Sequence, residues 1–153
     1  YKSVNHFDFQ GSTWAPHLVH KDLWNKVGGF SEEYYPGTGS DPDLNMKLWN
    51  EGVRIYKGIN SCKVYHFVSV VTERINIPSK NKMNIRSKAH KIFLLKWGIS
   101  IKFFKKFYLK TNSKYSGPLS IPKKDPIYLF NLLLCKFHYI YTKLIHNNLY
   151  SKN

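Results

Sequence analysis

Apolar residues recur along the chain at two spacings, separated by glycine- and proline-rich breaks. Phe7 and Phe9 alternate with His6 and Asp8, a period of two that predicts a strand over residues 1–15, broken by the run from Gly11 to Pro16. Leu23, Trp24 and Val27 share one face of a short helix over 20–27, and Gly28 stands where a left-handed C-cap falls. Leu44, Leu48 and Trp49 mark a second helix that runs to Glu51 and stops at Gly52. Residues 53–56 and 62–67 read as short strands, the second placing Cys62, Val64 and His66 on one face. Ile85, Ala89, Ile92 and Phe93 line one face of a helix over 82–97, ended by Gly98. Ile101, Phe104, Phe107 and Tyr108 then face away from Lys102, Lys105, Lys106 and Lys110. Residues 111–126 form a linker rich in Ser, Pro and Gly. The most apolar run, 127–145, holds Asn131, Lys136, His138 and Lys143. Each such charge costs roughly 2.5–3.5 kcal/mol at a bilayer centre, so the run reads as a peripheral or docking helix and not as a span.

Charge divides the chain in two. Residues 1–73 hold seven Lys/Arg against eight Asp/Glu, a net of −1; residues 74–153 hold seventeen against Asp125 alone, a net of +16. That asymmetry points to a polyanion or an anionic membrane as partner of the second half. Among 153 residues, 42% are hydrophobic and 16% aromatic, which predicts a folded core and excludes a disordered chain. Cys62 and Cys135 are too few and too far apart for a disulfide framework or a zinc site, and fit a reducing compartment. Neither a signal-peptide pattern nor an Asn-x-Ser/Thr acceptor is present. The chain opens at Tyr1 inside a strand-like pattern, which suggests a piece of a longer protein.

The stretch from Gly28 to Leu44 joins the first two helices and carries four glycines and two prolines. It delivers carboxylates to a helix start: Asp41 as N-cap, Pro42 at the first helical position and Asp43 in the first turn. Asp41 has two compatible readings, a cap worth about 1 kcal/mol and a general base at the mouth of a cleft. A polar loop held between packed helices is a usual seat of chemistry.

These residues resemble a known family. Trp24-Asn25-Lys26-Val27-Gly28-Gly29-Phe30-Ser31-Glu32, then Ser40-Asp41-Pro42-Asp43-Leu44 with Gly52 beyond, then Val64-Tyr65-His66-Phe67 and Phe93-Leu94-Leu95-Lys96-Trp97-Gly98, are similar in order to the second half of family 2 glycosyltransferases, over about residues 5 to 110. The resemblance implies an α/β fold: the C-terminal half of a GT-A (nucleotide-diphospho-sugar transferase) domain, followed by amphipathic helices. Residues 1–73 would be its acceptor-side half, 74–110 basic helices closing it, 111–126 a linker and 127–153 a C-terminal apolar and basic helix. It implies an inverting transfer from a nucleotide-sugar donor to a saccharide or lipid-linked acceptor, with Asp41 as base and Trp14, Tyr35 and Asp43 shaping the acceptor site. A divalent metal, Mn2+ or Mg2+, is expected, with Asp-x-Asp ligands outside this chain and His66 as a further ligand. Ser40 stands where the family commonly has Glu. The implied setting is cytoplasmic, peripheral at the inner face of a membrane.

Each of these residues also has a plainer reading. Trp14 either stacks on a sugar or is a buried core tryptophan. His66 is either a metal ligand or a satisfied core histidine, and Arg74 either meets a phosphate or lies solvated. The basic segment near 101–110 suits an anionic membrane surface or packing across the first half. Two other functions fit parts of the pattern: a non-catalytic membrane-surface adaptor derived from a glycosyltransferase, and a basic nucleic-acid-binding module. The second has no helix-turn-helix, zinc or RNA-recognition signature behind it.

Overall fold

A computed structural model describes residues 17–58, 79–111, 113–146 and 149. Helix α1 (Lys21–Val27) begins at His20, whose Nδ1 accepts from the Asp22 amide at 3.3 Å, and ends at Gly28 with φ of 72°. A 3-10 turn (Glu32–Tyr34) follows, then α2 (Ser40–Asn50), α3 (Ser79–Trp97), the single turn α4 (Ile101–Phe103) continuing into π-helical Phe104–Tyr108, and α5 (Pro126–Ile145). Asp125 caps α5 by accepting from the Tyr128 amide at 2.7 Å, with Pro126 in the first helical position. Ser100 caps α4 by accepting from the Phe103 amide at 3.1 Å.

One core joins these helices. Leu44, Leu48 and Trp49 of α2, Ala89, Ile92 and Phe93 of α3, Phe103 and Phe104, and Tyr128 and Cys135 of α5 are all buried. The aromatic rings interlock at the centre: Phe103 lies 5.1 Å from Tyr128, and Trp49 lies 5.2 Å from Tyr108. Each fully buried ring of this kind contributes about 1.5–3 kcal/mol through its removal from water. The Tyr128 hydroxyl faces that of Tyr108 at 3.4 Å, and burial followed by this contact pushes the Tyr108 phenol up to about 12. Helix α3 packs on α5 and on the 3-10 turn, and α1 packs on α2. Arg54 closes the end of α2, donating to the Trp49 carbonyl at 2.6 Å while its guanidinium lies 3.9 Å from the Trp49 ring centre.

The expected α/β architecture is not found, so the partial GT-A domain does not describe this fold. The described residues are mostly helical and contain no sheet, only the isolated bridge residues Lys57 and Lys114. Residues 53–56, expected as a strand, have no neighbouring strand among the described residues; the Arg54 carbonyl accepts one bond, from the Leu119 amide at 2.7 Å. The helices bury their apolar faces against one another in the shared core, with no sheet beneath them among the described residues. The strands expected at 1–15 and 62–67, and with them Trp14, His66 and Arg74, lie outside the described residues.

Helix α2 starts two residues earlier than the sequence suggests. Gly39, with φ of 92°, is its N-cap, so Asp41 sits within the first turn instead of capping it. The Ser40 hydroxyl donates back to the Gly37 carbonyl at 2.6 Å and leaves the helix amides alone. Glycine is required at position 39 twice over. Its φ is left-handed, and a Cβ there would meet the Tyr34 ring at 2.8 Å.

The basic segment near 101–110 packs inward. Phe103, Phe104 and Leu109 are buried in the core, and Lys102, Lys106 and Lys110 are exposed. No helix among the described residues is long and apolar enough to cross a membrane.

Candidate functional site

The two aspartates of Asp41-Pro42-Asp43 face different surroundings. Asp43 is fully buried, and its carboxylate is a junction. Oδ1 accepts from the Trp97 indole at 2.8 Å and from the Lys96 ammonium at 2.9 Å. Oδ2 accepts from the Ser31 hydroxyl at 2.7 Å and from Lys96 at 3.1 Å, with the Lys47 ammonium 3.7 Å away. Lys96 also donates to Glu33 at 2.7 Å and to Ser31 at 3.0 Å, and Lys47 donates to the Gly29 carbonyl at 3.0 Å. A buried charge needs this degree of pairing and hydrogen bonding to remain ionised. The junction therefore ties the start of α2 to the Gly28–Glu33 loop and to the end of α3.

Burial works against the charge on Lys96, but its bonds to Glu33 and Asp43 outweigh that and raise its pKa above the ordinary value of 10.5. A raised lysine contributes stability that is complete below its unfolded pKa and fades only as pH rises beyond it, so Lys96 keeps its charge throughout the neutral range.

Asp41 faces outward. Its side chain is 24% exposed, and its Oδ1 lies 3.5 Å from Nδ1 of His17. That distance is a charge contact without hydrogen-bond geometry, and neither buried nitrogen of His17 has a hydrogen-bond partner among the described residues. Burial lowers the His17 pKa, with the nearby Asp41 charge pulling the other way, so the ring is held toward its neutral form. A neutral imidazole beside a partly exposed carboxylate at a helix N-terminus can accept a proton from it.

His17 makes stability depend on pH. Its folded pKa lies below the unfolded value of 6.5, so the unfolded chain binds more protons in the window below about 6.5. The melting temperature is expected to fall as pH drops from about 6.5 toward 5, with His90, also lowered by burial and by Arg86, adding to the slope. His17→Gln should flatten part of that slope, whereas an unchanged slope in the variant would show that His17 does not titrate in this way.

Tyr35 is exposed at 77% and borders a cavity of about 250 Å3 between the 3-10 turn and α3. Tyr34, Pro36 and Thr38 line it from the loop, and Ile85, Ala89 and Ile92 from the helix. The structure thus leaves Tyr35 exposed just after the 3-10 turn and Asp41 partly exposed in the first turn of α2, while Asp43, expected at the acceptor site, has no exposed surface. Trp14 and His66 lie outside the described residues. Among the described residues no group of three or more His, Cys, Asp or Glu side chains could hold a metal ion, and the Asp43 oxygens are taken by Lys96, Trp97 and Ser31. The ligands expected for a divalent metal, His66 and Asp-x-Asp residues outside this chain, are not among the described residues, and no step is assigned to a metal.

Lys96 and His17 carry site roles that sequence reasoning did not assign. The Lys96-Trp97 pair was legible as a motif, but its partner lies more than fifty positions earlier, and no spacing rule connects them. No family model matches this chain, and no curated protein or solved structure matches it significantly.

Proposed function

We propose that this chain is part of an inverting glycosyltransferase that moves a sugar from a nucleotide-sugar donor to a hydroxyl of a saccharide or lipid-linked acceptor. The observation that carries the reading is the division of labour in Asp41-Pro42-Asp43. Asp43 is buried and immobilised, and Asp41, two residues away, is partly exposed on the first turn of the helix that Asp43 anchors. A fixed carboxylate with an open face is what general-base chemistry needs.

In this reading Asp41 accepts the proton of the acceptor hydroxyl as that oxygen bonds to the anomeric carbon. The bond from the anomeric carbon to the donor diphosphate breaks at the same time, and the nucleoside diphosphate leaves with its electron pair. The α2 N-terminus favours the ionised form of Asp41 before the reaction. His17, 3.5 Å from the carboxylate, takes the proton onward in this reading. Tyr35 and Trp14 offer faces for a sugar ring. Ligands for a divalent metal belong, in this reading, to His66 and to residues outside this chain. The setting is the inner face of a membrane, with the protein bound peripherally.

The experiment is acceptor-dependent release of nucleoside diphosphate from a panel of nucleotide-sugars, made with the intact protein. Release that requires a saccharide or glycolipid acceptor supports the reading. Retention of every donor, together with no calorimetric binding of any nucleoside diphosphate, would overturn it in favour of a non-catalytic role.

A further inference from the structure

Helix α5 buries one face and exposes the other, and both faces are apolar. Tyr128, Cys135 and Thr142, seven residues apart, form the buried strip. On the far side ten large apolar side chains between Ile127 and Ile145 are about half or more exposed, which makes a continuous surface and not the scattered apolar residues normal on a monomer. At 100° per residue they fill a sector of about 160° that runs the full length of the helix, about 30 Å. Phe130, Phe137 and Leu144 follow its midline, with Leu133 and Ile140 on one flank and Leu134 on the other. No charged residue falls inside the sector; Lys136 and Lys143 run along one edge.

We infer that this face of α5 docks in the interfacial layer of an anionic lipid bilayer, with the helix lying along the membrane plane. Charge selects this occupant. Lys123 and Lys124 precede the helix, Lys136 and Lys143 flank the apolar sector, and Lys102, Lys105 and Lys106 come from the α4 region that packs against α5. Asp125, the one acid after residue 73, is used as the helix cap. Apolar side chains in the acyl boundary with lysines at the headgroups is the arrangement of an interfacial helix. A second copy is a poorer occupant, since pairing through α5 would bring two halves of +16 together. Crossing the bilayer is excluded for this helix, which is not apolar enough and whose opposite face is spent on the core.

The assignment rests on the membrane setting proposed above, but not on the chemistry of Asp41. It moves the lipid contact from the basic segment near 101–110, whose aromatics are buried, to α5.

The test is co-sedimentation of the intact protein with vesicles of phosphatidylcholine containing roughly one-third phosphatidylglycerol, beside vesicles of phosphatidylcholine alone. The expected result is binding to the anionic vesicles that weakens with salt. Binding should fall at least tenfold in the combined variant Phe130→Ser, Phe137→Ser, Leu144→Ser, whose exposed positions leave the core untouched. A second variant, Lys136→Glu with Lys143→Glu, should lose the preference for anionic vesicles while keeping the helix content of the parent. Equal binding of parent and serine variant, or equal binding to neutral and anionic vesicles, would overturn the inference. So would a parent protein that is dimeric in solution, ignores vesicles and becomes monomeric in the serine variant. The vesicles carry no donor or acceptor sugar, so this outcome and that of the transfer assay are independent.

Discussion

Replacing Asp41 with Asn is expected to lower sugar transfer by the intact protein at least about a hundredfold, the lower end of what a general base contributes, while nucleoside diphosphate binding survives. The amide has the shape of the carboxylate but cannot take the acceptor's proton. The fold should tolerate the change. Asp41 is partly exposed and is not the cap of α2, so the expected loss of stability is the helix-dipole share, about 0.3–1 kcal/mol. The informative measurement is therefore a pair, turnover with saturating acceptor and thermal melting of the same sample. Near-normal turnover removes Asp41 from the role of base. A collapse of both quantities would instead make it a structural residue.

Asp43→Ala is expected to do the reverse, unfolding the protein more than it alters any binding constant. The substitution leaves Lys96 and Lys47 without their shared anion and strips partners from Trp97 and Ser31. Breaking a buried, hydrogen-bonded ion pair costs about 3–5 kcal/mol, which for a chain of this length lowers the melting temperature by roughly 10 °C. Asp43→Asn should lose less, because the side-chain oxygen can still accept from the Trp97 indole. Differential scanning calorimetry of the parent and both variants decides the matter. Parent-like melting of Asp43→Ala would show that the junction is dispensable, and would return Asp43 to the acceptor-site role that the sequence suggests.

The contrast between the two aspartates shows where sequence reasoning stops. Local signals were readable: the Gly28 C-cap, the apolar face of Leu44, Leu48 and Trp49, the stop at Gly98 and the helix over 127–145. Each depends on residues within a few positions of one another. The start of α2 was misplaced because Asp-Pro is a strong cap signature, yet the left-handed Gly39 and the turn from Gly37 set the start two residues earlier. The expected strand at 53–56 rested on a few apolar residues, and whether such a run pairs depends on what lies beside it. Alternation in the 101–108 segment revealed an amphipathic element but not which surface it would cover. In α5 the helix was legible and its orientation was not, because apolar residues surround it on nearly all sides. The Asp43–Lys96–Trp97 junction depends on tertiary proximity alone.

That junction also bears on how freely the chain between its ends can vary in length. Asp43 and Lys96 are 53 positions apart, and the contact closes the intervening chain into a loop. Loop-closure entropy grows only logarithmically, so doubling such a loop costs about 0.6 kcal/mol, several times less than breaking the junction costs. By that arithmetic the length of chain between the two ends matters little to the junction, and the junction holds the start of α2 in place whatever that length. The position of Asp41 thus depends on a contact between distant residues and not on the length of chain that separates them.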